Sequence, residues 1–324
     1  MRRLLWLAPL LWLCSLAAHA ACTVTMGNAV FGTQTSFALN TTEQQVQANL
    51  TVSCSIFLGL LSNDTVSMTV SSAQVVGTRV AMKRTDDTTV TDTIPVRVCG
   101  TATCNDGTET AVGKTYTWNS STLLGLISSK SYVLPVTFRT VAGQVVSAGP
   151  YRVIVNLSVS YSVCTAIGIG NICTGTPQTG TVPVTAQLDM TVTNDCITIS
   201  APDVNFGSAP LAKNFPTVSQ TISVTCTKGS LYTVGINNGA NPNSSGVRNM
   251  AYNGNFLSYD VYKGSNTTTR WGSTGTDRWS SSVSTGVSSD GLMRTYNYTA
   301  QVLPGQATPP AGTYVDTLVV DLAF

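Results

Sequence analysis

The sequence has almost no histidine. His19 is the only one among 324 residues, and it lies in a segment with the features of a cleavable leader. Loss of His19 excludes Ser-His-Asp and Cys-His catalysis and histidine-ligated metals. We therefore expect a protein that is not an enzyme and that carries no cofactor and no metal.

The first twenty residues have the three parts of a secretory signal peptide. Arg2 and Arg3 form the charged start, residues 4–16 are apolar, and residues 18–20 form a small-residue cleavage site. No later segment has the roughly 18 consecutive apolar residues of a membrane helix. We expect export to the periplasm, with a mature chain that is soluble or held by other proteins.

Charged residues are few and balanced. Lys, Arg, Asp and Glu make up 10% of the chain, and removal of the leader leaves 15 basic and 15 acidic residues. Binding to nucleic acid relies on an excess of positive charge that neutralises phosphates. The composition therefore predicts no nucleic-acid partner.

Eight of the nine cysteines follow the leader. Cys14, within the leader, comes after Leu13, which is too bulky for a lipoprotein processing site. An even number of cysteines in an exported chain indicates disulfides. Many pairings are formally open, and the spacing favours nearest neighbours over the tight pairs of a zinc site. The predicted bonds are Cys22–Cys54, Cys99–Cys104, Cys164–Cys173 and Cys196–Cys226.

An internal repeat indicates two related domains. Thr, Ser, Val and Gly dominate, and short alternating segments separated by Gly, Asn and Pro predict an all-β fold. The sequence Val-Phe-Gly-Thr at 30–33 returns as Asn-Phe-Gly-Ser at 205–208. Likewise, Ala-Gly-Pro-Tyr at 148–151 returns as Ala-Gly-Thr-Tyr at 311–314. The repeat predicts two immunoglobulin-like β-sandwich domains.

The two copies differ at their ends. After the strand that begins at Tyr151, the first copy continues into residues 182–193, whose alternating apolar and polar side chains predict one more strand. The strand that begins at Tyr314 has no such successor. We therefore predict that the domain of residues 194–324 lacks its final strand. We also predict that the domain of residues 21–193 is completed by its own strand 182–193.

Short motifs in the second domain carry a family resemblance. They are Asp195-Cys196, Asn205-Phe206-Gly207, Val224-Thr225-Cys226, Tyr259-Asp260-Val261-Tyr262, Arg270-Trp271-Gly272 and the tail from Gly305 to Tyr314. With these motifs, residues 195–324 resemble the spore coat protein U domain, the subunit fold of archaic (Csu-type) chaperone–usher pili. The first domain shares only its first strands and its last repeated strand.

The resemblance implies donor-strand complementation. An incomplete sandwich of this family receives a strand first from a periplasmic chaperone and then, at the outer-membrane usher, from the adjacent pilin subunit. Backbone hydrogen bonds give such a complex its affinity, and alternate side chains give its register. The predicted groove edge for the donated strand consists of Tyr314, Leu318, Val320, Leu322 and Phe324.

The position of the extra strand predicts a place in the fibre. Cys22 follows the cleavage site almost directly, which leaves no donor segment before the first cysteine, and residues 182–193 are placed to act within the chain. Such a chain accepts a strand but offers none, which predicts a two-domain tip adhesin on the cell-surface pilus. A receptor- or glycan-specific adhesin and a structural pilin or coat subunit are the alternatives.

Three apolar segments, each containing glycine, lie where connections are expected: residues 56–61, 123–127 and 166–172. A sandwich would place these connections at one end. A short apolar run alone does not separate exposed loops from buried strand ends. The resemblance favours exposed loops that grip an abiotic or host surface and support biofilm formation. The predicted surface-binding residues are Ile56, Phe57, Leu58, Leu60, Leu61, Leu123, Leu124, Leu126, Ile127, Ile167, Ile169 and Ile172.

Overall fold

The computed structural model describes residues 22–54, 63–123, 126–128, 131–164, 168–169, 172–173 and 176–324. The predicted leader lies outside these residues. The fold is all-β, with short α-helices α1 (Ser36–Thr41) and α2 (Ser120–Leu123) and 3-10 helices at Ala212–Asn214, Gly275–Asp277 and Ser281–Val283. No helix in the described ranges is long and apolar enough to cross a membrane.

The first β-sheet domain contains one sheet of twelve strands. Its strands are β1 (Thr23–Met26), β2 (Ala29–Thr35), β3 (Gln45–Ser53), β4 (Thr65–Ser71), β5 (Val75–Val76), β6 (Arg79–Arg84), β7 (Thr93–Cys99), β8 (Thr115–Trp118), β9 (Ile127–Ser128), β10 (Ser131–Thr140), β11 (Gly149–Val163) and β14 (Gln178–Thr193). The main order is β1-β3-β10-β7-β6-β11-β14-β2, with β4 paired to β11 and β8. A separate hairpin joins β12 (Gly168–Ile169) to β13 (Ile172–Cys173).

Strands β11 and β14 form the longest pairing of the molecule. They run antiparallel from Gly149 opposite Val192 to Val163 opposite Gln178. Side chains alternate along β11, with one face buried and the other exposed, because successive residues of a strand point to opposite faces. The extra strand that alternation predicts at 182–193 is present and begins four residues earlier, at Gln178. Its other edge pairs in parallel with β2.

The second β-sheet domain contains two smaller sheets with a core of their own. Its strands are β15 (Cys196–Ser200), β16 (Val218–Cys226), β17 (Thr233–Ile236), β18 (Arg248–Tyr252), β19 (Asn255–Lys263), β20 (Trp279–Ser280), β21 (Gly286–Val287), β22 (Met293–Val302) and β23 (Val320–Ala323). One sheet has the order β15-β16-β22-β19-β18, with β21 beside β22, and the other has the order β20-β17-β23.

All four predicted disulfides are present, and the nearest-neighbour pairing is confirmed. Cys22–Cys54 joins the start of β1 to the end of β3, and Cys196–Cys226 makes the same link between β15 and β16. These two bonds occupy equivalent positions in the two copies of the repeat. Each fixes the first strand of its domain to the strand beside it.

One ion pair joins the two domains. The ammonium of Lys228, after β16, lies 2.6 Å from Oδ1 of Asp92, just before β7. The other carboxylate oxygen of Asp92 accepts a hydrogen bond from the backbone N–H of Ser147. Beside this pair, the hydroxyl of Ser230 donates to Oδ1 of Asn194 in the connection between β14 and β15. The ion pair therefore links the domains directly, and Ser230 of the second domain holds the connection between them.

Candidate functional site

The three apolar segments leave neighbouring strands at one end of the first domain. Segment 56–61 lies between β3 and β4, segment 123–127 precedes β10, and segment 166–172 follows β11. The flanking strands are in register at this end: Ser131 lies opposite Ser53, and Thr65 lies opposite Ser162. The pairing therefore brings the bases of all three segments close together.

Asp64 connects these bases. The residue is buried, with 3% of its surface exposed, and lies directly before β4, three positions after the first segment. Oδ1 accepts a hydrogen bond from the backbone N–H of Cys164 at 2.7 Å, and Oδ2 accepts one from the hydroxyl of Tyr132. Burial and the neighbouring Asp64 carboxylate raise the pKa of Tyr132, which keeps this hydroxyl protonated as a donor. Residues that flank all three segments are thus linked through one carboxylate.

The disulfide Cys164–Cys173 closes the third segment. Within it, β12 and β13 pair with Gly168 opposite Cys173 and Ile169 opposite Ile172. A hairpin closed by a disulfide has fewer unfolded conformations than an open loop. Its base is also held by the backbone N–H of Cys164, which donates to Asp64.

The prediction that Leu123 binds a surface is wrong, because its side chain is buried. It ends α2, is 1% exposed and belongs to the core of the first domain. Leu126 is partly buried and packs against the same core. A short helix turns the start of this apolar segment inward, which the sequence pattern did not distinguish from an exposed loop.

The other predicted surface-binding residues remain predictions. Backbone pairing is described at Ile127, Ile169 and Ile172, in β9, β12 and β13. The following lie outside the described residues: Ile56, Phe57, Leu58, Leu60, Leu61, Leu124 and Ile167.

The second domain has an apolar groove of about 350 Å³ between residues 201–206 and 314–320. β15 lies at the edge of one sheet and β23 at the edge of the other, and no strand in the described ranges joins them. The floor and walls include Phe206, Ile222, Ile236, Met250, Tyr259, Val261, Tyr298, Ala300 and Leu318. This surface is large enough to receive a further element against the core.

Three of the five predicted groove-edge residues line the groove: Tyr314, Leu318 and Val320. Leu322 packs against the core of the second domain. Phe324 is 68% exposed, and its ring centroid lies 6.2 Å from that of Tyr232.

The strand predicted to begin at Tyr314 is shorter than expected. Only Val320–Ala323 forms a strand, and Val315 makes an isolated bridge to Ala251. The alternation nevertheless persists, because Val315 and Val319 are exposed while Leu318 is partly buried. A strand needs hydrogen-bonded neighbours, and the groove side of residues 314–319 has none among the described strands.

In the first domain, the region equivalent to this groove is occupied by a strand. The repeat aligns residues 29–33 with 204–208 and β11 with the segment from Gly312 onward. In the first domain β14 lies between these two elements, antiparallel to β11 and parallel to β2. The groove of the second domain therefore stands where the first domain holds β14.

A carboxylate lies within the groove. Asp316 accepts a hydrogen bond on Oδ2 from the hydroxyl of Tyr259 at 2.7 Å and one on Oδ1 from the backbone N–H of Ala240 at 2.8 Å. Burial raises the pKa of Tyr259, and the Asp316 carboxylate raises it further. Asp203 also lines the groove and, together with burial, raises the pKa of Tyr298 to about 12.

The carboxylates described in both regions act as hydrogen-bond acceptors. Within the described ranges, no cluster of three or more His, Cys, Asp or Glu residues is arranged to hold a metal ion. Trp271 and Trp279 are buried and stack edge to face in the core of the second domain, with ring centroids 4.9 Å apart. The alternation along residues 314–324 signalled the groove, whereas no sequence pattern signalled Asp64.

The comparison with solved structures finds tip adhesins. One match is to the CsuC–CsuE chaperone–tip adhesion subunit pre-assembly complex from the archaic chaperone–usher Csu pili of Acinetobacter baumannii. It has 26% identity and a TM-score of 0.55, and covers 94% of this chain and 100% of that chain. Another is to the CupB6 tip adhesin from Pseudomonas aeruginosa, with 13% identity, a TM-score of 0.38, and 94% of both chains covered.

The comparison with curated protein sequences finds no match. The family model of the Spore Coat Protein U domain matches residues 10–158 and again residues 178–321, so that the second match begins at the first residue of β14. Both the family and the Csu match are of non-enzymatic proteins, as the sequence predicts. With most of its length covered by two copies of the domain, this chain belongs to the Spore Coat Protein U domain family.

Proposed function

We propose that this protein is the tip adhesin of a chaperone–usher pilus, joined to the fibre through its second domain and to surfaces through its first. The observation that carries the proposal is the difference between the two copies. β14 fills the first domain, while the equivalent region of the second domain is an open apolar groove. The first domain, which β14 completes, is suited to face outward. The second domain, whose groove is open, is suited to accept a strand from another subunit.

The groove receives a strand from another protein. Added strands gain backbone hydrogen bonds at a free sheet edge and place alternate side chains in the groove. The matched Csu structure is a complex of a chaperone with a tip adhesion subunit, which supports a periplasmic chaperone as the first partner. Transfer at an outer-membrane usher to the adjacent pilin subunit completes the assembly.

The direction of assembly follows from β14. This strand directly precedes the second copy of the repeat, yet it pairs along its length within the first domain. It is therefore not free to enter a neighbouring subunit. A subunit that accepts a strand but retains its own belongs at the end of a fibre.

The groove is tested by two neighbouring substitutions. Leu318→Lys places a charge in the groove, whereas Val319→Lys changes a side chain that points outward and is 54% exposed. We expect Leu318→Lys to abolish co-purification with the co-expressed chaperone and Val319→Lys to retain it. Retention by both variants would contradict strand acceptance in this groove.

The apolar segments of the first domain contact the surface. Asp64 and the Cys164–Cys173 bond hold the bases of these segments together. Transfer of one Leu or Ile side chain from water to an apolar surface is worth about 1.5–3 kcal/mol. Several such contacts per tip, and many tips per cell, give avidity without a specific receptor and thereby support biofilm formation.

The adhesive segments are tested by replacing Leu58, Leu60, Leu124 and Ile167 with Thr. We expect attachment to polystyrene to fall while pili still assemble. The control replaces exposed apolar residues elsewhere on the first domain, Val75, Val76 and Ile154, with Thr. Equal attachment by both variants would contradict the proposal. Saturable binding that a free sugar competes would instead support a glycan-specific adhesin.

A further inference from the structure

Asp316 interrupts the apolar face that residues 314–320 present to the groove. Tyr314, Leu318 and Val320 lie on the same face of the chain and line the groove beside it. In the first domain, the apolar face of β11 continues without a break through Val153. On this face of the strand, the two copies therefore differ in charge only at the position of Asp316.

The pairing on the far side of this segment fixes which residues correspond. In the first domain Leu157 lies opposite Val70. In the second domain Val320 lies opposite Ile236. The repeat aligns Tyr151 with Tyr314, six residues before Leu157 and Val320 respectively, and so gives the same correspondence. Counting back from these pairs, Val153 corresponds to Asp316.

The filled copy then shows what an added strand places at this position. Val153 lies opposite Leu188 of β14, and on the other side Leu188 lies opposite Ala29 of β2. Because residues 29–33 align with 204–208, Ala29 corresponds to Val204. A strand in the groove with the register of β14 therefore places one side chain between Val204 and Asp316.

The carboxylate of Asp316 is suited to a hydrogen-bond donor at this position. Two of its acceptor positions are used by Tyr259 and Ala240, and an ionised carboxylate has about four in all. None of the residues that line the groove, all within the described ranges, is Lys or Arg. An apolar side chain such as Leu188 would cover the charge without compensating it, which is unfavourable.

We infer that the strand donated by the adjacent pilin subunit has an N–H- or O–H-bearing side chain opposite Asp316. It runs antiparallel to β23, with apolar side chains two residues before and after that position. This inference rests on the proposed function and specifies the partner's sequence. The β14 strand of a second copy of this protein has Leu188 at that position and should therefore bind the groove less well. Two tip subunits are then not expected to join to each other.

The test joins a donor strand to the full chain. The sequence of residues 178–193 is appended after Phe324 through a Gly/Ser linker as long as segment 164–177. The residue at the Leu188 position of the appended strand is Leu, Thr, Lys or Glu. Thermal unfolding of each fusion is followed by near-ultraviolet circular dichroism, to which the aromatic cores of both domains contribute. The fusions share an identical first domain, so that a difference between them reports on the second.

We expect the Thr and Lys fusions to melt higher than the Leu fusion by on the order of 4 °C, and the Glu fusion to melt lowest. In fusions that also carry Asp316→Leu, the fusion with Leu in the appended strand should have a higher melting temperature than those with Thr or Lys. Replacement of the outward-facing Gln187 by Leu in the appended strand is the control and should leave the order unchanged.

Other outcomes separate a failure of this inference from a failure of strand acceptance. A Leu fusion that melts as high as the Thr and Lys fusions, in both backgrounds, would overturn the inference and leave strand acceptance intact. If no fusion protects the backbone amides of β23 from hydrogen exchange, the groove does not accept a strand in this register. If the chaperone nevertheless co-purifies, the groove serves the chaperone only, and the inference fails.

Discussion

The hydroxyl of Tyr132 donates a hydrogen bond to Oδ2 of Asp64, and both side chains are buried. The two residues flank different apolar segments, since Asp64 precedes β4 and Tyr132 is near the start of β10. The backbone N–H of Cys164, at the end of β11, donates to the other carboxylate oxygen. This carboxylate therefore links described residues that flank the three apolar segments.

Removal of the Asp64 carboxylate should destabilise the first domain. Asp64→Ala leaves a buried hydroxyl and a buried N–H without this acceptor, which costs about 1–3 kcal/mol for each group left unsatisfied. Tyr132→Phe removes the hydroxyl and should cost less. Urea unfolding of both variants and of the double variant measures the coupling. Strictly additive effects would contradict a direct hydrogen bond.

The Cys164–Cys173 bond should matter more for adhesion than for folding. It closes a hairpin at the edge of the domain, whereas Cys22–Cys54 lies in the core. We expect replacement of Cys164 and Cys173 by Ser to lower attachment to polystyrene while the free energy of unfolding falls by about 3 kcal/mol or less. Replacement of Cys22 and Cys54 is the comparison, and should prevent secretion of folded protein. Unchanged attachment without the hairpin disulfide would count against a role for this segment.

Leu123 should behave as a core residue. Because it is buried in α2, Leu123→Ala should lower the free energy of unfolding by about 2–5 kcal/mol. Ser121→Ala, at an exposed position of the same helix, should change it by about 0.5 kcal/mol or less. Chemical denaturation distinguishes the two variants. A small effect at Leu123 would restore it to the surface-binding set.

Local patterns were sufficient for the features that depend on neighbouring residues. The disulfides follow from cysteine spacing, and β14 follows from the alternation of its side chains. The inward turn at Leu123 did not follow, because a short apolar run has the same composition whether it is buried or exposed. The hydrogen bonds of Asp64 join residues far apart in the chain, and no periodicity signals such contacts.

The junction between the domains should loosen in acid. Burial disfavours the charged form of Asp92, but hydrogen bonds from Lys228 and from Ser147 outweigh it and hold the pKa of Asp92 below its usual value. A carboxyl whose pKa is lower in the folded state stabilises that state fully above its unfolded pKa of about 3.9. This stabilisation is lost as the pH falls from that value through the lowered pKa of the folded state.

Lys228→Met tests this junction, because it removes the cation and leaves the Asp92 carboxylate in place. At pH 7 the variant should be less stable than the original chain, and the difference should shrink as the pH falls through the lowered pKa of Asp92, where the carboxylate takes up a proton. Denaturant unfolding at several pH values measures the difference. Lys83→Met, at an exposed position in β6, removes the same charge without touching Asp92 and should show no such trend. An equal pH dependence in both variants would mean that the effect arises from net charge and not from the ion pair across the domains.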